Sequence, residues 1–453
     1  MADMHRKQIF ESFSVPQAVR AMALPAIFSQ LIILVYNMAD TFFLGQVNDP
    51  FMVAGASLIL PVFNICVSLA CLTGTGGGAV ISQLLGKGEE GEAKKVSSLS
   101  LALSIGVTSL FSLSMLVFMQ PMLHLLGASE NTYAYARQYA FCVIVLGGIP
   151  TVLSNVMSNL LRSTGESGQA SFGISMGGII NILLDPLFMF ILLPQGNEVL
   201  GVGIATLISN CISCLYFVWA ISKNKKQSII RFSLKNGLPQ RQSVASIFSI
   251  GVPSAVTTLL FDIDYIVIDK LMAAYGDVAL AAVGIVLKAE RLPLNVGVGI
   301  CQGMMPLVAY NYAGRNHQRM QDVIRFSLKT GLIVGAVSIL LYECFAGAIM
   351  AAFIGDPKTM ELGAHFLRIR CLATPFMFSS FFTVFVFQGF GKGRIAMFLG
   401  VMRWAVFNIP MLFVLNRLIG MYGLVWSQLC ADILTVALSF FVYRRHTRRL
   451  IGT

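Results

Sequence analysis

The chain has 453 residues, of which 56% are hydrophobic and only 12% are charged, and its mean hydropathy is +0.76. A soluble protein of this length needs far more polar surface, so the composition excludes a soluble domain and indicates a membrane protein with many spans. The formal charge of +11 would suit a nucleic-acid partner, but the positions of the basic residues favour a membrane topology, and we expect no nucleic acid.

Twelve apolar segments approach or exceed the length of about 20 residues that a helix needs to cross a bilayer. The polar opening residues and the long first apolar segment, which has no small-residue cleavage site, predict no cleavable signal peptide. The sequence therefore predicts an all-α integral membrane protein with spans at 15–44, 52–83, 96–119, 135–161, 169–193, 199–222, 244–273, 279–311, 325–349, 362–390, 395–416 and 422–443.

Basic residues gather at the chain start and at every second connection, while the alternate connections hold few. The positive-inside rule then predicts that both termini are cytoplasmic. An even number of spans requires the two termini to lie on the same side of the membrane, which agrees with this prediction. The basic stretches are Arg6 and Lys7, 87–95, 223–241, 315–329, Lys392 and Arg394, and 444–449.

The longest polar stretch, 223–243, divides the spans six and six, which predicts an N-lobe (1–222), a cytoplasmic linker (223–243) and a C-lobe (244–453). Proline, glycine and charge recur in the same order in both halves, so the halves are predicted to be parallel repeats. Two six-helix bundles would then face a central cleft that opens to each side in turn. The aligned pairs include Pro25 with Pro253, Asp40 with Asp269, Gly55 with Gly284, Pro150 with Pro375, and Gly165 with Gly391.

Two pairs of an acid and an amide lie in separate spans of the N-lobe. Asp185 has Asn181 one helical turn earlier on the same face, and Asp40 follows Asn37 by three residues, with Tyr36 adjacent. A charged carboxylate at the bilayer centre costs at least ~2.5–3.5 kcal/mol, which indicates a function. Both acids lie in the outer half of outward-running spans, so they are predicted to line one cavity that binds a proton or a cation. A solvated Asp40 at the membrane edge is the alternative.

The C-lobe has its own intramembrane acids in spans 7 and 8. Asp262 and Asp264 lie 200° apart on a helix, so at most one of them faces the cleft squarely. Glu290 is close in sequence to Lys288 and Arg291, and ion pairing with these residues competes with a role in cation binding. Asp269, beside Lys270 near the outer end of span 7, is expected to lie at the membrane interface. Glu343 and Asp432 have no acidic neighbour in sequence, and the sequence assigns them no role.

The remaining residue patterns favour no enzyme and no resident metal. Cys211 and Cys214 have metal-ligand spacing, but no second Cys or His pair accompanies them. All five histidines lie at or beyond span ends, and no nucleophile–base arrangement stands out. The many Phe, Tyr and Met side chains are suited to line a cleft that accepts varied shapes. The glycines at 74–78 are not followed by the Lys-Ser/Thr of a phosphate-binding loop.

Five motifs resemble those of the multidrug and toxic compound extrusion (MATE) family, and their order covers nearly the whole chain. The most specific is the NILLDP run at 181–186, and the pattern is most similar to bacterial members, nearest the branch of the staphylococcal multidrug exporter. The motifs are ADTFFLG at 39–45, LRSTG at 161–165, NILLDPLF at 181–188, GVGIAT at 201–206 and GMMPLVAYNY at 303–312.

The resemblance implies a twelve-helix antiporter of a bacterial cell membrane, which expels lipophilic cations in exchange for H⁺ or Na⁺. We expect a monomer that needs only the bilayer, its small-molecule substrate and the coupling ion, with no cofactor. Carried over by position, the N-lobe ion site comprises Asp40, Asn181, Asp185 and Thr206, with Tyr36 and Asn37 adjacent. Some members also use C-lobe acids, which would be Asp262 or Asp264 and Glu290.

Two other functions fit the sequence less well. A flippase for lipid-linked saccharides would share the architecture, but predicts extra terminal spans and a strongly basic cleft. An intramembrane enzyme would need a buried catalytic constellation. Carboxylate and amide oxygens suit H⁺ and Na⁺ alike, so the sequence leaves the coupling ion open.

Overall fold

The structure is a computed structural model, and it describes residues 6–47, 49–223, 228–232 and 237–451, with side chains as far as 447. Among these residues, ten helices are long and apolar enough to cross a membrane, and two further spans each consist of two helices with a bend between them. In chain order they are α1 (Val15–Gln46), α2 (Pro50–Gly86), α3 (Glu90–Val117), α4 (Glu130–Leu146 and Gly148–Ser163), α5 (Ser167–Leu192), α6 (Glu198–Lys223), α7 (Arg241–Ala273), α8 (Asp277–Ala313), α9 (His317–Phe353), α10 (Pro357–Cys371 and Thr374–Gly389), α11 (Gly393–Ile419) and α12 (Met421–Ile451).

The predicted all-α fold is confirmed, and each of the twelve predicted segments falls on one of these helices. The bends in α4 and α10 are both 47°. Each bend lies within three residues of a proline, Pro150 or Pro375, whose missing N–H weakens the helical hydrogen bonding at that point. The sequence alignment pairs these two prolines, so the same distortion recurs at matching places in the two halves.

The basic connections meet at one end of the bundle, here called the basic end. Gln83, near the end of α2, donates a hydrogen bond from Nε2 to the Gly389 carbonyl at the end of α10, at 2.8 Å. Gly86 abuts the Tyr310 carbonyl at the end of α8, and Arg6 pairs with Glu90 at the start of α3. The assignment of this end to the cytoplasm stays a prediction.

Close helix crossings join the two halves near the basic end. A Cβ atom at Gly251 of α7 would lie 1.8 Å from the Leu72 carbonyl oxygen of α2, so only glycine allows this approach. Gly303 of α8 is similarly close to the backbone of Ala23 in α1. Small residues permit such backbone contact between membrane helices. Asp40 lies seventeen residues beyond Ala23, about 25 Å along α1.

The predicted linker is described only in part, because residues 224–227 and 233–236 of the 223–243 stretch lie outside the described residues. Its middle lies against the first half of the chain: the Ser97 hydroxyl of α3 donates to the Ile229 carbonyl at 3.1 Å. The helix that follows begins at Arg241. The division into lobes at 223–243 remains a prediction.

Candidate functional site

Pro186 interrupts the helical hydrogen bonding of α5 next to Asp185. Pro186 lies inside the helix, and because it has no N–H it cannot donate to the carbonyl four residues earlier. The next turn, Phe188–Leu192, is π-helical, a distortion often found at functional sites. Just before this break, Asp185 is fully buried. The Asn181 Nδ2 donates to Asp185 Oδ1 at 3.3 Å, as the spacing of one turn predicts.

Helix α1 brings a second carboxyl group to Asp185. A Cβ at Gly178 would meet Ile32 Cγ2 at 2.8 Å and Tyr36 Cδ1 at 3.1 Å, so the glycine lets α1 lie close against α5. One turn beyond Tyr36, the Asp40 carboxyl lies within hydrogen-bonding reach of the Asp185 carboxyl. The structure therefore brings the two acids of the sequence analysis together.

Helices α6 and α4 complete the cluster. Thr206 of α6 is 8% exposed, and the Tyr139 phenol of α4 lies beside Thr206 and near both carboxyl groups. Sequence reasoning missed Tyr139, because α4 is distant in sequence and no local pattern marks this residue. The topology could have indicated Tyr139. Because α4 runs opposite to α1, residues near the start of α4 lie at the same depth in the bundle as Asp40.

Four oxygen atoms of this cluster are buried and receive no hydrogen bond from the described residues. Buried polar atoms are almost always satisfied, so four such oxygens at one place mark a candidate site for a proton or a cation. Oxygen ligands of this kind suit hard cations. No described Lys or Arg forms a salt bridge with either carboxyl group. The four atoms are Asp40 Oδ1, Asn181 Oδ1, Asp185 Oδ2 and Thr206 Oγ1.

The two remaining residues of the predicted ion site are Tyr36 and Asn37, and only one of them lies beside the carboxyl groups. The Tyr36 phenol lies next to the Asp40 carboxyl, where it can contact a bound ion or its ligands. Asn37, by contrast, is exposed on α1, and its backbone carbonyl accepts a hydrogen bond from Thr41 at 3.0 Å. The four oxygens of the cluster do not include Asn37.

In the C-lobe, Glu290 has a partner that the sequence did not indicate. Arg370 of α10 donates to Glu290 Oε2 from both Nε and Nη2, each at 2.8 Å, and both side chains are 4% exposed. Pairing with Lys288 or Arg291, the alternative that the sequence left open, is not seen among the described residues. Residues two positions before and one after Glu290 leave the helix on other faces. Lys288 is exposed, and Arg291 instead lies over the Tyr265 ring, 5.1 Å from its centroid.

A second buried ion pair holds α11 and α12 together. Arg403 donates from Nε to Asp432 Oδ1 at 2.8 Å, and Gln428 donates to Asp432 Oδ2 at 2.6 Å. The guanidinium group of Arg403 also stacks on the rings of Phe381 and Trp404, at 4.1 and 4.2 Å from their centroids. Asp432 is thus neutralised within the protein.

The two acids of α7 point in different directions, as their spacing predicts. Asp264 is 4% exposed and accepts a hydrogen bond from Asn408 Nδ2 of α11 at 2.7 Å. Asp262 lies next to Asn64 of α2 and therefore faces the other half of the molecule. Asp269, which the sequence alignment paired with Asp40, is exposed. Asp264, and not Asp269, is the acid of α7 that contacts the asparagine of the fifth helix of its half.

Together, the helical bundle and the buried carboxyl pair define a class: a membrane transporter that moves ions or solutes, built from two related halves. The MatE family model matches the chain twice, at residues 25–187 and 253–414. The chain therefore belongs to the MatE family, whose members are transporters rather than enzymes.

Curated relatives match over nearly the full length. Multidrug export protein MepA of Staphylococcus haemolyticus (strain JCSC1435) is 29% identical over 441 residues, which cover 97% of this chain and 96% of that protein. Multidrug export protein MepA of Staphylococcus aureus (strain MSSA476) is 28% identical over 445 residues, with 98% and 97% covered.

Solved structures share the fold at lower identity. A MATE crystal structure in complex with MaL6 has a TM-score of 0.92 and 20% identity, with 99% of both chains covered. An outward-facing multidrug resistance MATE family transporter of the MOP superfamily has a TM-score of 0.93 and 21% identity, with 98% of both chains covered. The chain is thus a multi-span membrane protein of the multidrug efflux transporter family.

Proposed function

We propose that this protein is an antiporter that exports lipophilic cations in exchange for H⁺ or Na⁺, with the coupling ion bound at Asp40, Asn181, Asp185 and Thr206. The observation that carries the proposal is the set of four buried oxygens that receive no hydrogen bond from the part of the chain that the structure describes. Two carboxyl groups without a basic partner cannot both stay charged in a buried site unless a cation joins them. Protons or a bound Na⁺ supply the missing positive charge.

Ion loading has a direct route to a change in shape. Asp40 belongs to α1 and Asp185 to α5, so their repulsion when unloaded and their attraction to a shared cation when loaded alter how α1 packs on α5. Helix α1 also packs against α8 of the other half at Ala23 and Gly303. A change at Asp40 is therefore transmitted to the contact between the halves through one continuous helix.

Coupling requires only that ion and substrate prefer opposite states of this two-state equilibrium. An ion from outside, bound at the N-lobe cluster, favours release of the exported cation to the outside. Return to the inward-open state then releases the ion to the cytoplasm. Drug and ion need not bind at the same time or touch each other.

The C-lobe acids have unequal roles in this scheme. Glu290 is already paired with Arg370, so it offers no free charge to a substrate. Asp262 faces the other half and is the C-lobe acid placed to attract a cationic substrate across the cleft. The proposal includes a monomer in a bacterial cell membrane with both termini in the cytoplasm.

The test uses purified protein in liposomes loaded with ethidium. A pH gradient and a Na⁺ gradient are imposed one at a time, and dye movement is followed by fluorescence. The proposal expects dye export driven by at least one of the two gradients and no export without a gradient. Export that ignores both gradients, or binding of undecaprenyl-linked cargo in preference to drug cations, would contradict it.

A further inference from the structure

A short segment before α1 buries two large apolar side chains although it lies outside the membrane spans. Residues 6–12, here called the strap, include a π-helical turn over Gln8–Ser12. Within it, Ile9 is 2% exposed and Phe10 is fully buried. A polar chain start that only preceded the first span would have no reason to bury two large apolar side chains. The strap is therefore packed into the basic end.

On one side, the strap contacts connections of the first half. Arg6 forms an ion pair with Glu90 at the start of α3. The Phe10 ring lies over the turn between α4 and α5, where a Cβ atom at Gly165 would be 3.1 Å from Phe10 Cε2. Gly165 has φ +91, a conformation that glycine adopts readily.

On its other side, the strap contacts α8 and α9 of the second half. The ring of Phe10 stacks on that of Tyr310 with centroids 4.7 Å apart, and the Tyr310 hydroxyl donates to the Glu11 carboxylate. Arg319 donates from Nε to the Phe10 carbonyl at 2.8 Å and from Nη2 to the Ile9 carbonyl at 3.2 Å. One buried ring thus touches both halves.

We propose that the strap holds the basic end closed and must leave the second half before that end opens. This rests on the alternating access of the proposed function. Opening separates Gly165 from Tyr310, and the Phe10 ring cannot stay in contact with both. Because the strap continues directly into α1, the bonds that break are those to Tyr310 and Arg319. The contact with the second half consists of one aromatic stack, the hydrogen bond from Tyr310 to Glu11 and two charge-assisted bonds to carbonyls. Such a set of contacts makes a releasable closure.

The test is hydrogen–deuterium exchange of the full-length protein in lipid nanodiscs, without substrate or gradient. Phe10→Ala removes the ring, and Arg319→Met removes the two donors. Both variants are expected to exchange roughly tenfold faster than the wild type at 86–90, 163–167 and 313–319, because these connections become exposed whenever the basic end opens. Connections at the opposite end, at 194–197 and 354–356, are expected to keep their rates, which rules out general unfolding.

Matched controls come from the same elements. Gln8→Ala changes an exposed residue of the strap, and Arg325→Met removes an exposed arginine of α9. Both are expected to match the wild type. Faster exchange confined to the strap itself, with 86–90 and 163–167 unchanged in both test variants, would overturn the proposal.

The exchange result is independent of ion coupling. If the strap variants open the basic end while no gradient drives export, the proposed role of the strap is supported and the proposed antiport is wrong. If a gradient drives export but neither variant alters exchange at the connections, the antiport is supported and the proposed role of the strap is wrong.

Discussion

The two halves of this transporter bury carboxyl groups in opposite ways. In the N-lobe, Asp40 and Asp185 lie side by side with no basic partner among the described residues. In the C-lobe, Glu290 and Asp432 are each bound by an arginine at 2.8 Å. A paired acid fixes helix positions, whereas an unpaired acid is available to bind an ion. An ion site is therefore expected where buried acids lack a basic partner, whatever the number of acids in that half.

The contrast rests on a shared framework. In each half an asparagine of the fifth helix hydrogen-bonds an acid: Asn181 bonds Asp185 within α5, and Asn408 of α11 bonds Asp264 of α7. The C-lobe position that aligns with Asp185 lies near Met411, which carries no charge. Both halves thus have an asparagine in the fifth helix, but only the fifth helix of the N-lobe also carries an acid one turn further along.

The largest expected effect follows removal of the unpaired charge. Asp185→Asn should reduce gradient-driven ethidium export to the level of empty liposomes, because the amide cannot accept a proton or balance a cation. Asp269→Asn, an exposed acid of α7, is the matched control and should export like the wild type. Full ion-driven export by Asp185→Asn at normal expression would show that coupling does not depend on the N-lobe acid pair.

Breaking a C-lobe ion pair should affect stability rather than coupling. Arg370→Met leaves Glu290 buried and unpaired, which costs about 3–5 kcal/mol, so the midpoint of thermal unfolding in detergent should fall strongly. The double variant Glu290→Leu/Arg370→Met removes both charges and should recover most of the loss. If Arg370→Met alone unfolds like the wild type, the C-lobe acid is not held as described.

A smaller effect is expected at the hydroxyl ligand of the ion cluster. Thr206→Val keeps the shape of the side chain and removes one of the four oxygens. A polar contact to a charged group contributes about 1.5–3 kcal/mol, so the apparent affinity for the coupling ion should fall about ten- to hundredfold. Ser209→Ala, one turn further along α6, is the control. An unchanged affinity would remove Thr206 from the site and narrow it to α1 and α5.

The smallest effect concerns an acid outside the spans. The Thr359 hydroxyl and N–H both donate to Asp356, which caps α10, and these bonds hold the pKa of Asp356 below its usual range. The contribution of Asp356 to stability is fully present above the pKa that this group has in the unfolded chain. It disappears as the pH falls through the lower pKa that the group has in the folded protein. Asp356→Ala should slightly increase hydrogen exchange in the first turn of α10 at neutral pH and have no effect on export. A marked loss of export would show that exposed acids also take part in coupling.

The sequence predicted the helices and the N-lobe acids because both depend on local pattern. Apolar length gives the spans, and a lone acid beside an amide one turn away gives Asp185 and Asn181. The meeting of Asp40 with Asp185 followed from topology, since both acids lie toward the helix ends that point away from the basic end and the two helices run in the same direction.

The C-lobe pairs could not be predicted in this way. Arg370 lies 80 residues from Glu290, and Arg403 lies 29 residues from Asp432. Nearby basic residues in sequence, Lys288 above all, suggested a partner that helix geometry rules out. Such pairs form only when distant helices pack together. The strap escaped the sequence analysis for the same reason, because its partners are distant in sequence: Gly165 lies in the turn between α4 and α5, and Arg319 lies in α9.

The central claim is that the coupling ion binds in the N-lobe and not in the C-lobe. The most direct measurement counts ions bound per purified protein, sodium by a radioactive tracer and protons by potentiometric titration, for the wild type, Asp185→Asn and Asp264→Asn. If the ion binds in the N-lobe, Asp185→Asn loses the bound ion and Asp264→Asn, whose acid lies in the C-lobe network, keeps it. Loss of the ion in Asp264→Asn with full binding in Asp185→Asn would show that the ion binds in the C-lobe instead.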